Sequence, residues 1–309
     1  MSRLLHLRGV VPLAVLAAVA LAFYLAAGRF LDLARTLESL ERLDGLRAGG
    51  ALGCAFLLYG LKALRWRWYV AAAGQSLAWR TALAVYLAGQ WFTLARSADL
   101  SRVLIAWRIG VPYDLAIAVG VVAGVADFGA IAWAGFAACL WHPEYALLVG
   151  PAAMGAAALI WALGGAGPLG RLVEAELPRK FAGAVQSGRR LLRGSALGVG
   201  LGISALDALA GAGVLLFAAL AVGLDTVALP RALLVYALAQ LAAGLSMIPL
   251  GLGVLEGSGV LLLVAGGFDA SQAAAALVLY RLATLSASML LGGGALLALR
   301  CGLCPAAPR

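Results

Sequence analysis

The chain has 309 residues, 64% of them hydrophobic and only 12% charged, with a mean hydropathy of +0.99. A soluble domain of this length needs far more polar surface. The composition therefore excludes one and indicates a polytopic membrane protein, with room for one bundle of about seven or eight helices and no added catalytic domain. The net charge of +9 comes almost entirely from arginines scattered between apolar runs. That pattern fits basic loops held in the cytoplasm and attraction to anionic headgroups, and it argues against nucleic-acid binding.

Residues 1–9 carry Arg3 and Arg8, and residues 10–27 are apolar. They read as a retained first helix, with a cleaved signal peptide as the alternative. Residues 29–47 mix Arg, Asp and Glu with Leu at helical spacing, which predicts an amphipathic surface helix. Residues 48–70 form the second span. It ends in Lys62-Ala-Leu-Arg65-Trp66-Arg67-Trp68-Tyr69, the basic and aromatic composition of an interfacial anchor. Residues 81–95 are apolar but short, and residues 97–112 hold Asp99, Arg102 and Arg108. Together, 81–112 read as a re-entrant pair that dips in and returns to its own side. Residues 114–141 form a full span with Asp127 in its middle, and 145–164 span again. Residues 165–195 read as a polar loop, and 196–223 as a span with Asp207 about midway.

Residues 231–268 are split by Pro249-Leu-Gly251-Leu-Gly253, with Glu256 just beyond, and Arg281 lies inside the last apolar run, 272–299. A spanning helix needs about 20 apolar residues, and neither half of this stretch is comfortable at that length. Broken backbone survives at membrane depth only where protein or a watery cavity satisfies it, and an ionisable group there marks a functional site by default.

Residues 82–90 (ALAVYLAGQ) and 232–240 (ALLVYALAQ) share Ala, Leu, Val, Tyr86/Tyr236 and Gln90/Gln240. Each opens the short pair of its half, so the chain reads as one membrane domain, 1–309. Its repeat halves are approximately 1–141 and 145–300, of opposite orientation. With both termini cytoplasmic and both short pairs re-entrant, most of the 23 lysines and arginines fall inside. The fold class expected is an all-α polytopic membrane protein with an inverted-topology repeat and two re-entrant broken-helix hairpins, the arrangement that points to a mid-membrane transport site. The alternative is a plain bundle in which Gly120-xxx-Gly124, Gly198-xxx-Gly202 and Gly253-xxx-Gly257 pack helices.

The stretch P-x-G-x-G-x-x-E with a later Arg (Pro249, Gly251, Gly253, Glu256, Arg281) resembles the lysylphosphatidylglycerol synthase transmembrane-region family of flippase-like proteins. Arg65-Trp66 resembles that family's Arg-Trp after the second span, and Asp99-Leu-Ser-Arg102 its D-x-x-R. Where the family often has Pro and Gly-Gly before that Asp, this chain has Arg96-Ser-Ala; where it often has a Glu-Arg pair, this chain has Gly124-Val-Ala-Asp127. The family includes the flippase part of bacterial multiple peptide resistance factors and stand-alone members, some linked to hopanoid pathways. The resemblance implies movement of a lipid, or its headgroup, between leaflets of the bacterial inner membrane.

The residues fit that implication. Arg65, Arg102 and Arg281 could hold a phosphate through guanidinium forks, and the helix after Gly253 offers backbone N–H groups. Glu256 could cap that helix, pair with Arg281 or meet a cationic headgroup. Asp127 and Asp207 could carry protons or bond to neighbouring helices. The substrate-binding set expected is therefore Arg65, Asp99, Arg102, Asp127, Asp207, Pro249, Gly251, Gly253, Glu256 and Arg281. The partners expected are membrane lipids with anionic or phosphate headgroups, and a lipid-biosynthesis enzyme. There is no Walker A motif, so transport would be passive, ion-coupled or drawn by chemistry elsewhere. No HExxH, GxSxG or DxD set appears, so no catalytic residue is expected. Cys301-Gly-Leu-Cys304 lacks histidines nearby in sequence, and Cys54 and Cys139 read as packing residues, so no metal or cofactor is expected either. Two other functions stay open: a non-transporting membrane partner of a lipid or hopanoid biosynthesis complex, and an intramembrane lipid-modifying enzyme.

Overall fold

A computed structural model of the chain describes residues 33–92, 98–166, 182–246, 248 and 251–301. The expected first span, much of the expected polar loop, Pro249 and Cys304 lie outside the described residues. Within them the chain is helical, with no strand. Four helical segments are long and apolar enough to cross a membrane: Tyr113–Ala138, Pro143–Gly164, Gly194–Ala221 and Ala270–Arg300.

The segment expected as one amphipathic helix, 29–47, is divided. Helix α1 (Leu33–Glu41) stops, and α2 (Gly45–Ala72) starts three residues before the expected span. Asp44 makes the break, because its carboxylate accepts from the N–H groups of Leu46 (2.9 Å) and Arg47 (3.3 Å). That satisfies two of the donors a helix start leaves open. Then come two short helices, α3 (Trp79–Gln90) and α4 (Ala98–Arg108), and the long α5 (Tyr113–Ala138). Helix α6 (Ala146–Trp161) runs on into a π-helical turn at Ala162–Ala166. The expected polar loop 165–195 contains a helix, α7 (Ala182–Leu191). The long α8 (Gly194–Ala221) is followed by the shorter α9 (Leu229–Leu245) and α10 (Val254–Ala265), and α11 (Ala270–Arg300) closes the bundle.

Side-chain contacts fix which helix ends lie together. At one end, Arg47 donates to the Leu220 carbonyl (2.8 Å) and pairs with Asp225. Arg231 lies over the Tyr145 ring, and the Gln272 amide donates to the Val222 carbonyl (3.3 Å). At the other end, the Trp68 indole donates to the Ala196 carbonyl (3.2 Å), Arg67 lies over Trp79, and Gly183 sits tight against Asp114. Helix α2 is thus antiparallel to α8. Helices α3 and α5 begin at the same end, while α9 and α11 begin at the opposite one. Gly266, just past α10, abuts Arg231 near the start of α9.

The packing of one set of helices mirrors that of the other. Helices α2 and α8 pack together at the centre; α3 packs on α11, and α9 on α5; α3 packs on α4, and α9 on α10. Glycines permit the cross-contacts. A Cβ at Gly292 of α11 would lie 2.6 Å from the Trp91 backbone nitrogen, and one at Gly135 of α5 would lie 2.8 Å from the Ala237 Cβ of α9. Gly200 and Gly211 of α8 receive the rings of Tyr69 and Tyr236. The packing role read for Gly120/Gly124 and Gly198/Gly202 does not hold: nothing lies within 4 Å of a Cβ built at any of the four. Tyr69, read as an interfacial anchor, is fully buried against α8.

These glycines make a direct prediction. Gly292→Ala must push Trp91 backbone away and should lower stability by about 1–3 kcal/mol, the usual cost of overpacking. Gly120→Ala faces open space and should be neutral. Thermal unfolding of the purified protein in detergent, followed by size-exclusion fluorescence, checks both.

Candidate functional site

Two groups of charged side chains lie inside the bundle. The first is carried by α2, α5 and α8. Lys62 and Arg65 are three residues apart on α2, hence on one helix face. Asp127 lies near the middle of α5 and Asp207 near the middle of α8. Arg65 closes a bidentate fork on Asp127, with Nη2 2.7 Å from Oδ2 and Nη1 against Oδ1. Its Nη1 also donates to the Ser204 hydroxyl (2.7 Å) and stands 3.6 Å from Asp207 Oδ2. Lys62 bridges both acids, with Nζ 2.8 Å from Asp207 Oδ2 and 3.3 Å from Asp127 Oδ2. Two cations meet two carboxylates, so the group is formally neutral. The Arg65 and Asp207 side chains are only 2% and 3% exposed, whereas Lys62 and Asp127 are 19% and 23% exposed.

The second group is built where the chain breaks between α9 and α10. Gly251 and Gly253 take positive φ values of 61° and 81°, which side chains other than glycine rarely adopt. A Cβ at Gly251 would also come within 2.5 Å of Ala243 Cβ. Glu256, in the first turn of α10, splits its two oxygens. Oε2 accepts from the Gly253 N–H (2.8 Å) and caps the helix; Oε1 accepts from Arg281 Nε on α11 (2.6 Å). Two of the roles read for Glu256, cap and ion-pair partner, are present together.

Tyrosines join the two groups. Tyr59 and Tyr280 lie within electrostatic reach of both Lys62 and Arg281. The Tyr280 hydroxyl accepts from the Gln240 amide (3.2 Å), and the Tyr236 and Tyr280 rings meet edge-on at 6.4 Å. Tyr236 and Gln240, the repeat residues of the second half, therefore both meet Tyr280, the neighbour of Arg281 on α11. Their counterpart Tyr86 carries the Arg102 guanidinium over its ring at 4.5 Å.

The expected site residues thus fall into three places. Arg65, Asp127 and Asp207 come together, as do Gly251, Gly253, Glu256 and Arg281, and Arg102 stands on Tyr86. The backbone of Asp99 belongs to α4; its side chain and Pro249 lie outside the described residues. The Arg65 fork is already filled by Asp127, so in this conformation a phosphate would find it closed. The residue missed is Lys62, read only as part of an interfacial anchor. The signal for it was charge balance: two carboxylates within apolar spans need two cations at similar depth, and Arg65 alone supplies one. A groove of about 790 Å³ between α5, α6 and α8 is lined by apolar side chains such as Trp133, Trp161 and Leu201, with Arg193 as its charged member. None of the expected site residues lines it.

No curated protein matches the chain. Its residues 10–292 match the family model of the lysylphosphatidylglycerol synthase TM region, which covers the helical bundle and both charged groups, and the chain belongs to that family.

Proposed function

We propose that this protein is a flippase-like transporter of the bacterial inner membrane, moving a lipid or its headgroup between leaflets without chemically altering it. The family ties the chain to lipid handling in a membrane. The observation that carries the transport reading is the Glu256–Arg281 pair at the broken start of α10. An arginine within an apolar 31-residue helix meets a carboxylate at the free N-terminus of a 12-residue helix too short to cross a bilayer. Ionic side chains and open backbone groups at that depth are expensive unless they serve a polar substrate.

The helix order supports an inverted repeat. Long α2, short α3 and α4 and long α5 are answered by long α8, shorter α9 and α10 and long α11. The first helix of each short pair packs on the long last helix of the other half, α3 on α11 and α9 on α5. Re-entrance is supported by the ends: Gly266 after α10 lies by Arg231 before it, and α3 and α5 start together. In such an arrangement one half can rock against the other about a fixed site. The substrate class this favours is a lipid with a phosphate or other anionic headgroup, recognised by arginine. In the described conformation both charged groups pair internally.

Two outcomes are expected. In vesicles holding the purified protein, Glu256→Gln and Arg281→Ala should reduce exchange of a fluorescent phosphatidylglycerol to the protein-free background, while both variants still insert; wild-type exchange in both would sink the reading. For topology, single cysteines on a cysteine-free background are labelled with an impermeant maleimide. Trp79→Cys and Arg108→Cys should react from one side of the membrane, and Ala228→Cys and Ala265→Cys from the other. A split within either couple would mean that the short pair crosses.

A further inference from the structure

The Lys62–Arg65–Asp127–Asp207 group is not needed to explain recognition of a headgroup, since it is neutral and closed. Its members are not equivalent. Both oxygens of Asp127 are held, Oδ1 by Arg65 and Oδ2 by Arg65 and Lys62. Asp207 is held through Oδ2 alone, by Lys62 at 2.8 Å with Arg65 at 3.6 Å. Its Oδ1 is buried and has no hydrogen-bond partner among the described residues. A carboxylate oxygen in that position lacks the donors that water would give it, and protonation relieves the deficit by converting the acid to its neutral form.

The cations differ in the same sense. Arg65 is permanently charged and fixed by its planar fork on Asp127. Lys62 is a point charge on a flexible stem, shared between two acids. When a proton lands on Asp207 Oδ1, Lys62 stays an ammonium and its claim shifts to Asp127. When the proton leaves to water, Lys62 returns to Asp207. Lys62 and Asp127 are the more exposed members, so the approach lies along their edge of the group.

The groups facing Asp207 come from each helix packed on α8. Helix α2 offers Lys62 and Arg65; α5 offers Asp127; α9 offers Tyr236, within electrostatic reach of Asp207. From α11, Tyr280 stands against Tyr236. Helix α7 adjoins α8 at Gly194, roughly 20 Å along the axis from Asp207 at 1.5 Å per residue. Lys62–Asp207 joins α2 of the first half to α8 of the second beside the Arg65–Ser204 hydrogen bond and the longer Arg65–Asp207 contact, so the proton acts on the seam about which the halves would move.

We propose that Asp207 is a proton-binding site that couples transport to a proton gradient, its occupancy making and breaking the Lys62–Asp207 contact between the halves. This rests on the transport reading above and supplies the energy source that the sequence leaves open. The test uses the full chain in vesicles of phosphatidylethanolamine and phosphatidylglycerol, with fluorescent phosphatidylglycerol as probe and the membrane potential clamped at zero. With one proton per cycle, each unit of pH gradient should shift the leaflet ratio of the probe by up to about tenfold. Asp207→Asn should abolish the response of the probe to the gradient. The paired variant Lys62→Gln/Asp207→Asn keeps the group neutral and should behave alike, which covers misfolding of the single variant. Exchange by the wild type that ignores the gradient, or a gradient response that survives in the Asn variants, overturns the proposal. Absence of any wild-type exchange defeats the transport reading instead, and infrared titration then decides the proton site. A carboxylic-acid band that follows pH in the wild type and is missing from Asp207→Asn supports it; identical spectra refute it.

Discussion

Charge balance inside an apolar bundle is the constraint on which the rest of the architecture depends. A buried ion without its partner costs several kcal/mol, so every internal cation here must find an anion at its own depth. The partners sit on different helices: α2 supplies Lys62 and Arg65, α5 supplies Asp127, and α8 supplies Asp207. Sliding any one of the three by a single turn would move its charge about 5 Å and strand it. Apolar packing among alanines and leucines is tolerant of register; four coordinated charges are not. The ion group thereby fixes the register that the alanine-rich core leaves loose, whether or not it adds net stability.

Small residues answer a second constraint. Helices that carry tyrosines and tryptophans cannot approach closely unless the facing helix gives way. Gly200 and Gly211 give way to Tyr69 and Tyr236 on the central helix α8, and Gly292 and Gly293 to Trp91 at the end of α3. Tyr69 and Tyr236 are thus seated in notches cut by glycine. Tyr236 in turn meets the Tyr280 ring edge-on, and the Tyr280 hydroxyl accepts from the Gln240 amide.

Much of this was legible from residues, and the misses have physical causes. Apolar length revealed the long helices, because a 26- to 31-residue helix in a chain this hydrophobic has few alternatives. The Pro-Gly-Gly break and the Glu256–Arg281 partnership were legible because ionic and helix-breaking residues stand out against hydrocarbon. Lys62 was not, because a lysine beside Arg65, Trp66 and Trp68 has the composition of an interfacial belt. Only depth in the bundle, which composition does not encode, separates the two. The Gly120/Gly124 and Gly198/Gly202 pairs failed for a similar reason. With 40 glycines in 309 residues, a four-residue spacing arises without a partner helix to use it. The glycines that pack are those facing a large ring or a crossing backbone, and that pairing is tertiary.

Glu256 divides its two oxygens between the break and Arg281. One oxygen holds the Gly253 N–H and so the first turn of α10; the other holds Arg281. Under the transport reading proposed above, an anionic headgroup would compete with Oε1 for Arg281. The cap through Oε2 can persist, so α10 keeps its start while the guanidinium changes partner. The contrast with the first group is then chemical. There, the Arg65 fork spans both oxygens of Asp127 and has no such spare arm, so a headgroup would have to break a bidentate contact to enter. Of the two ionic groups, the one beside the broken helix meets its arginine through one carboxylate oxygen, and the one between α2 and α8 holds its arginine through two.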